Sequence, residues 1–209
     1  MRVIGGRWRG RPLEAPAGRG TRPTSDKVRE AVFDVLGSLV LAGEVPGGEA
    51  DAGEEGEAGP LAGLRVLDLY AGSGALGIEA LSRGAAMCTF VETAKPALRA
   101  LRANLRRLDV GGDRVVVVPR PAARAVRDEA AAGRRYTLLF ADPPYDDYRG
   151  QEGLLAAAIA GLLCHDGLAI VETARGIQPG PDVVTSRTYG DTRITFVRNT
   201  GRPERPLEE

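Results

Sequence analysis

The chain has 209 residues, 43% hydrophobic and 27% charged, which suits one catalytic-size domain with a sizeable core and a small appendage. No apolar run reaches spanning length and the N-terminus lacks an apolar signal core, so a cytoplasmic protein with no membrane partner is expected. The single histidine, His165, and two cysteines without ligand spacing, Cys88 and Cys164, leave nothing to build a zinc site or a Ser-His-Asp triad. No metal is expected, and the thiols read as buried and reduced.

The formal net charge of +0 hides a split. Met1 to Arg29 carries eight basic residues against two acids, a net +6, whereas Gly43 to Pro60 carries six acids and no base. Residues 1–23 are therefore read as a basic arm, with Val3-Ile4 and Arg11-Pro12-Leu13 flanking Gly5-Gly6 and Trp8 as a hairpin. A basic arm suits a polyanion, because each neutralised phosphate releases counterions; Arg used simply as a solubilising residue is the competing reading. A helix over 24–42 follows, capped by Thr24 or Ser25, with an apolar stripe of Val28, Ala31, Val32, Val35, Leu36 and Leu39. The acidic stretch 43–60 is too poor in apolar residues to offset ordering entropy and reads as a mobile insertion.

From Leu64 apolar runs alternate with helical patterns. Strands are predicted at 66–70, 87–92, 115–118, 138–141 and 168–172, with helices at 75–83, from Pro96, at 122–132, and through Leu154 to Leu163. Val183 to Tyr189 and Arg193 to Arg198, split by Gly190-Asp191, read as a terminal hairpin. This rhythm indicates an α/β fold with a doubly wound, mostly parallel sheet, whose ligands bind beyond the carboxyl ends of the strands. Residues 201–209 read as a disordered tail.

The first strand, carrying Asp68, runs into Tyr70-Ala71-Gly72-Ser73-Gly74-Ala75-Leu76-Gly77, a G-x-G-x-x-G between strand and helix. Twenty residues past Gly72, Glu92 ends the second strand, where a carboxylate can accept from both ribose hydroxyls of an adenosine. A dinucleotide and S-adenosylmethionine both fit these features. Asp68 favours the second, since a carboxylate welcomes an ammonium and a sulfonium but repels a pyrophosphate.

The fourth strand ends in Asp142-Pro143-Pro144-Tyr145. Two prolines stiffen the turn and remove two backbone donors, leaving carbonyls as acceptors. A carboxylate and a fixed carbonyl can hold both hydrogens of an exocyclic amine, localising its lone pair and stabilising the charge that develops as a methyl arrives. Tyr145 offers a flat face for a base taken out of its stack. A proline-rich turn with a packing tyrosine is the bland alternative.

Three blocks, Val3 to Gly10 with Thr21 to Glu30, Asp68 to Ala85, and Asp142 to Tyr145, resemble the RsmD-type family of 16S ribosomal RNA guanine-N2 methyltransferases. The last two blocks are common to many amino-methyltransferases; the first narrows the resemblance. It implies a seven-stranded class I methyltransferase (Rossmann-like) sheet over 61–200 with an antiparallel C-terminal hairpin and a small N-terminal β-hairpin extension. It further implies S-adenosylmethionine as cofactor and 16S rRNA, or an assembling small ribosomal subunit, as partner of a monomeric enzyme. Catalytic candidates are Asp142, Pro143, Pro144 and Tyr145; cofactor candidates are Asp68, Tyr70, Ala71, Gly72, Ser73, Gly74, Glu92, Thr93 and Ala122. RNA candidates are Arg7, Trp8, Arg9, Arg11, Arg22, Thr24 and Lys27, Trp8 either stacking on a base or anchoring the hairpin. One departure is Arg120-Pro121-Ala122, where the family commonly has a polar Asp or Asn facing adenine, so recognition there falls to backbone or packing. Competing classes are an adenine-N6 methyltransferase, an NAD-dependent oxidoreductase using the glycine loop, and a non-enzymatic RNA-binding assembly factor.

Overall fold

Strands β1 (Arg65–Leu69), β2 (Met87–Val91), β3 (Val115–Val118), β4 (Tyr136–Ala141) and β5 (Leu163–Ala174) run parallel. The last two strands, β6 (Val183–Tyr189) and β7 (Thr192–Arg198), form the terminal hairpin, with β7 antiparallel to β5. The order across the sheet is β3-β2-β1-β4-β5-β7-β6 in the computed structural model, which describes residues 1–16, 25–46, 59–143, 148–175 and 182–201. Winding reverses between β1 and β4, the switch point at which such sheets open a crevice for ligands.

Side chains alternate between two apolar layers, as the pleat requires. Val66, Cys88, Phe90, Leu138, Phe140 and Ile170 face one layer, while Leu67, Leu69, Val91, Leu139, Ala141 and Val171 face the other. Helices α1 (Asp26–Leu41), α2 (Ala75–Ser82) and α3 (Lys95–Arg107) cover the first layer with Val32, Phe33, Leu36, Ile78, Leu81, Leu101 and Leu105. On the opposite layer, α4 (Ala122–Ala131) and α5 (Tyr148–Leu162) contribute Ala125, Val126, Leu155, Ala158 and Leu162. No helix among the described residues is long and apolar enough to cross a membrane.

Two elements differ from expectation. Helix α1 is capped by Ser25, whose hydroxyl accepts from Val28 N, but its buried row is Arg29, Val32, Phe33 and Leu36, with Val28, Val35 and Leu39 flanking it. Phe33 sets this rotation by packing on Phe140 at 5.8 Å between centroids. Arg29 can be buried because its Nη2 donates to Asp26 Oδ1 at 2.6 Å and to the Arg2 carbonyl at 2.8 Å. Strand β5 starts at Leu163 rather than Leu168. Here Asn199 Nδ2 donates to the Leu163 and Cys164 carbonyls, and Asp166, at φ 61°, turns its N–H to the Asn199 carbonyl. The chain thereby joins the sheet before the register shift opposite Tyr136 and Leu138.

The N-terminal hairpin is closed by Val3 N to Arg11 O, Gly10 N to Val3 O and Leu13 N to Met1 O, at 2.8–3.0 Å. Its outer surface docks on α2. Ile4 N and Gly5 N donate to the two oxygens of buried Glu79 at 2.8 and 2.7 Å. Ser82 accepts Trp8 N at its hydroxyl and Arg7 N at its carbonyl, and its hydroxyl donates to the Gly5 carbonyl at 2.6 Å. Gly6, at φ +72°, lies so close that a Cβ there would meet the Ser82 carbonyl oxygen at 1.8 Å.

Candidate active site

The turn from β1 into α2 passes through left-handed conformations at Tyr70 (φ 62°), Gly72 (φ 56°) and Gly74 (φ 82°). Its glycines serve different ends. A Cβ on Gly72 would meet nothing within 4 Å, so this glycine supplies the turn and an unobstructed approach to the main chain. A Cβ on Gly74 would strike Leu101 at 2.4 Å, and one on Gly77 would strike Phe90 at 2.4 Å and Cys88 Sγ at 2.6 Å. Those two let α2 sit close to β2 and α3. One glycine of the motif therefore shapes a binding surface and two pack the helix behind it.

Glu92, half-buried just past β2, is held against this loop. Its Oε2 accepts from Gly72 N at 2.8 Å, and its Oε1 accepts from Thr93 N and Ala94 N, both at 2.7 Å. Three backbone donors thus orient the carboxylate, and the lone-pair capacity left on Oε2 is what a ribose hydroxyl requires. Thr93 is exposed, while Ala71, Ser73 and Ala122 are buried around the same rim. Pro121 caps α4 without a side-chain acceptor, as its chemistry dictates.

Asp68 is nearly fully buried, and its Oδ2 accepts from Gly77 N at 3.0 Å, tying β1 to the first turn of α2. It meets a ligand as a field through the loop more than as a contact. Burial pushes its carboxyl up to about 7, opposed by the Gly77 hydrogen bond and reinforced by Glu92.

Asp142 is one residue beyond the pairs Leu69↔Ala141 and Ala141↔Val171, so it lies between Tyr70 on one neighbour and Glu172 on the other. The glycine loop and the proline corner therefore share one end of the sheet, on adjacent strands. Asp142 is partly exposed and Pro143 buried. Pro144, Tyr145, Arg22 and Thr24 lie outside the described residues, as do 17–24, 47–58 and 202–209 generally. Burial pushes the Asp142 carboxyl up to about 8, with the charges of Glu172 and then Asp68 raising it further. Such a group holds its proton near neutral pH in the ligand-free fold and, once ionised, is a strong acceptor and base.

Two members of the site escape sequence reasoning. Glu172 ends the apolar run of β5 as Glu92 ends that of β2, a signal that was present in the sequence. Asn104, fully buried on α3, accepts from Glu14 N at 2.7 Å and donates to the Glu14 and Ser73 carbonyls at 3.0 Å. It joins the base of the hairpin to the glycine loop; a polar residue between Leu101 and Leu105 on an apolar face was the clue.

The expected RNA residues divide. Arg7, Arg9, Arg11 and Lys27 are exposed. Trp8 is not available for stacking: at 6% exposure it belongs to the core, which is the anchoring alternative. Arg7 sits at the far end of α2, about 12 Å along the helix from the glycine loop. Nearer the loop, Lys95, Arg99, Arg102 and Arg106 form an exposed basic stripe on α3, a helix with no acid in it. Among the described residues no cluster of metal-ligating side chains occurs.

The two upward carboxyl shifts set a pH dependence. In the ligand-free fold Asp68 and Asp142 keep protons that an unfolded chain releases above about pH 4. Their contribution to stability is therefore fully present below that pH and is lost as pH rises through 7 to 8. A cationic ligand reverses this at Asp68, because it favours the ionised carboxylate and expels its proton. Affinity for S-adenosylmethionine is expected to rise between about pH 6 and 8, by up to about tenfold per unit where one proton is released, then level off. S-adenosylhomocysteine, lacking the sulfonium charge, gives a shallower slope. Calorimetry in buffers of different ionisation enthalpy counts the protons; a flat profile for both ligands contradicts the arrangement.

Residues 1–198 match a protein family described as conserved hypothetical protein 95. Ribosomal RNA small subunit methyltransferase D of Escherichia coli (strain K12) is 36% identical over 178 residues, covering 83% of this chain and 74% of that protein. YlbH of Bacillus subtilis (strain 168), provisionally named an rRNA methyltransferase, is 34% identical over 206 residues, covering 96% of this chain and 100% of that one. Among solved structures, a hypothetical protein of Thermus thermophilus superposes with a TM-score of 0.74 at 32% identity, covering 94% of this chain and 98% of that chain.

Proposed function

We infer the activity from one premise: this chain belongs to the conserved hypothetical protein 95 family, the RsmD-type methyltransferases that include ribosomal RNA small subunit methyltransferase D of Escherichia coli. It is an S-adenosylmethionine-dependent rRNA methyltransferase, and its acceptor is the exocyclic N2 of a guanine in 16S rRNA. The observation that carries this reading is the placement of Asp142 on the strand next to the glycine loop, at the same end of the sheet.

The residues present fit the cofactor. Gly72 leaves its backbone open, Glu92 has capacity for the ribose, and Asp68 supplies a negative field suited to a sulfonium and hostile to a pyrophosphate. When bound, S-adenosylmethionine supplies an activated methyl group, so neither metal nor covalent enzyme intermediate is needed. Asp142 accepts one hydrogen of the target amine and the proline corner offers carbonyls for the other, which localises the nitrogen lone pair on the side of the donor. As the amine becomes cationic, the same carboxylate stabilises the charge and is basic enough to take the proton that must leave. The remainder of the effect is orientation.

The RNA is gripped by the exposed arginines of the hairpin together with the α3 stripe. Neutralising Arg7, Arg9 and Arg11 together is expected to weaken rRNA binding uniformly across sequences and to reduce the slope of log K against log salt by about three. An unaltered slope returns the arm to ordinary surface. We take the enzyme to act as a cytoplasmic monomer.

The decisive experiment incubates the protein with labelled S-adenosylmethionine and small ribosomal subunits lacking the modification. Nucleoside analysis is expected to show N2-methylguanosine. N6-methyladenosine would transfer the assignment to the adenine class, and no label in rRNA would end the reading.

A further inference from the structure

We propose that Asn104 is a positioning residue for cofactor binding: its side-chain amide, anchored on the backbone of Glu14, holds the Ser73 carbonyl and so fixes the turn that presents Gly72 to S-adenosylmethionine. This rests on the cofactor reading above and adds to it a requirement that lies outside the glycine motif, on another helix.

Three observations converge. First, the amide has one orientation that fits. Its Oδ1 accepts from Glu14 N at 2.7 Å, and its Nδ2 donates to the Glu14 and Ser73 carbonyls, both at 3.0 Å. Turning the group over would set an oxygen against two carbonyls and an NH2 against a donor. Asn104 is fully buried, so bulk water cannot stand in for any of the three bonds.

Second, the stretch that it holds is one the chain itself leaves free to turn. Ser73 stands between Gly72 (φ 56°) and Gly74 (φ 82°), and glycine moves between backbone regions at little steric cost. The Ser73–Gly74 peptide is set by its bonds instead. Its N–H donates to the Ala71 carbonyl at 2.7 Å, and its carbonyl accepts from Asn104. Rotation of this peptide breaks both bonds and opens the Ala71–Gly74 turn around Gly72, the position with an unobstructed approach to the main chain.

Third, the residue is out of keeping with its helix. Asn104 lies between Leu101 and Leu105 on the apolar face of α3, where a leucine packs better and favours the helix more. The bonds to Glu14 explain a hairpin anchor. The third bond, to a loop carbonyl with no part in the hairpin, is what a positioning role requires.

The test compares two variants that each cut hydrogen bonds to the hairpin. Asn104→Leu removes the bonds to Glu14 and Ser73. Ser82→Ala removes the hydroxyl's bonds to Trp8 N and the Gly5 carbonyl, about 12 Å along α2 from Gly74, and leaves the loop alone. Both are expected to melt below wild type. Asn104→Leu is expected to raise Kd for S-adenosylmethionine about tenfold by calorimetry, with the single-turnover rate at saturating cofactor falling less than about threefold. Ser82→Ala should leave Kd within about twofold. Unchanged affinity in Asn104→Leu overturns the proposal. So does an equal rise in both variants, which would make Asn104 a hairpin anchor and nothing more. Should Asn104→Leu fail to fold, NMR of the wild type decides. The Asn104 side-chain NH2 resonances are expected to move when S-adenosylhomocysteine binds, and resonances that stay put overturn the proposal. A wild-type protein that binds neither ligand brings down the cofactor reading together with this one, and the first titration tells that outcome from the others.

Discussion

Replacing Asp142 with alanine is expected to lower kcat for methyl transfer by about a thousandfold while Kd for S-adenosylmethionine stays within a few-fold. The asymmetry follows from where the residue sits. Asp142 lies past the end of β4, flanked by Tyr70 and Glu172, and the bonds that tie Gly72 to Glu92 and Gly77 to Asp68 do not use its side chain. The loop and Glu92 therefore keep their geometry, and what disappears is the acceptor for the amine and for the charge that builds on it. A group engaged mainly in the transition state shows its loss in kcat rather than in ground-state binding. Removing a carboxyl that the ligand-free fold keeps protonated near neutral pH also removes the cost of protonating it, so the variant should melt no lower than wild type there. Single-turnover rates with preformed cofactor complex measure the effect; turnover equal to wild type would show that the amine is held elsewhere.

The opposite signature is expected of Glu92→Ala, with Kd for S-adenosylmethionine raised about a hundredfold and the chemical step, at saturating cofactor, altered little. A hydrogen bond to a charged acceptor contributes about 1.5–3 kcal/mol, and the ribose forfeits the one made to Oε2. A second loss adds to it. Glu92 is the acceptor for Gly72 N, Thr93 N and Ala94 N, so its removal loosens the loop that presents Gly72 to the ligand. Glu92→Gln does not rescue binding, because either rotamer of the amide turns its NH2 against one of these backbone donors. Calorimetry decides the matter; unchanged affinity would remove Glu92 from the ribose site.

Much of this site could be read in the sequence because buried parallel strands write themselves as apolar runs, and the residues that end them stand out by polarity. Asp68, Glu92 and Asp142 were found in that way, and the strands and terminal hairpin lie within a few residues of expectation. What periodicity misses is polarity turned inward. Arg29 is counted as surface, yet it sits at the centre of the buried row of α1, neutralised by a partner three residues away and a carbonyl from the hairpin. Glu79 and Asn104 look like solvated helix positions until the hairpin lies on them. Trp8 illustrates the converse, since a tryptophan among arginines suggests stacking on a base, whereas its burial depends on a helix more than seventy residues away. Each of these failures involves a contact between the hairpin and the helices, and long-range pairing leaves no local trace.

The way the hairpin is attached bears on where this protein can be cut. Val3, Trp8 and Leu13 are core residues, and Glu79, Ser82 and Asn104 find their partners in its backbone. A shortened version beginning at Ser25 would strand a buried carboxylate, open a cleft over α2 and unpin Ser73. The stretch that looks like a removable grip is thus an inseparable wall of the catalytic body, and modular transplantation of the methyl-transfer unit without it should yield an insoluble product.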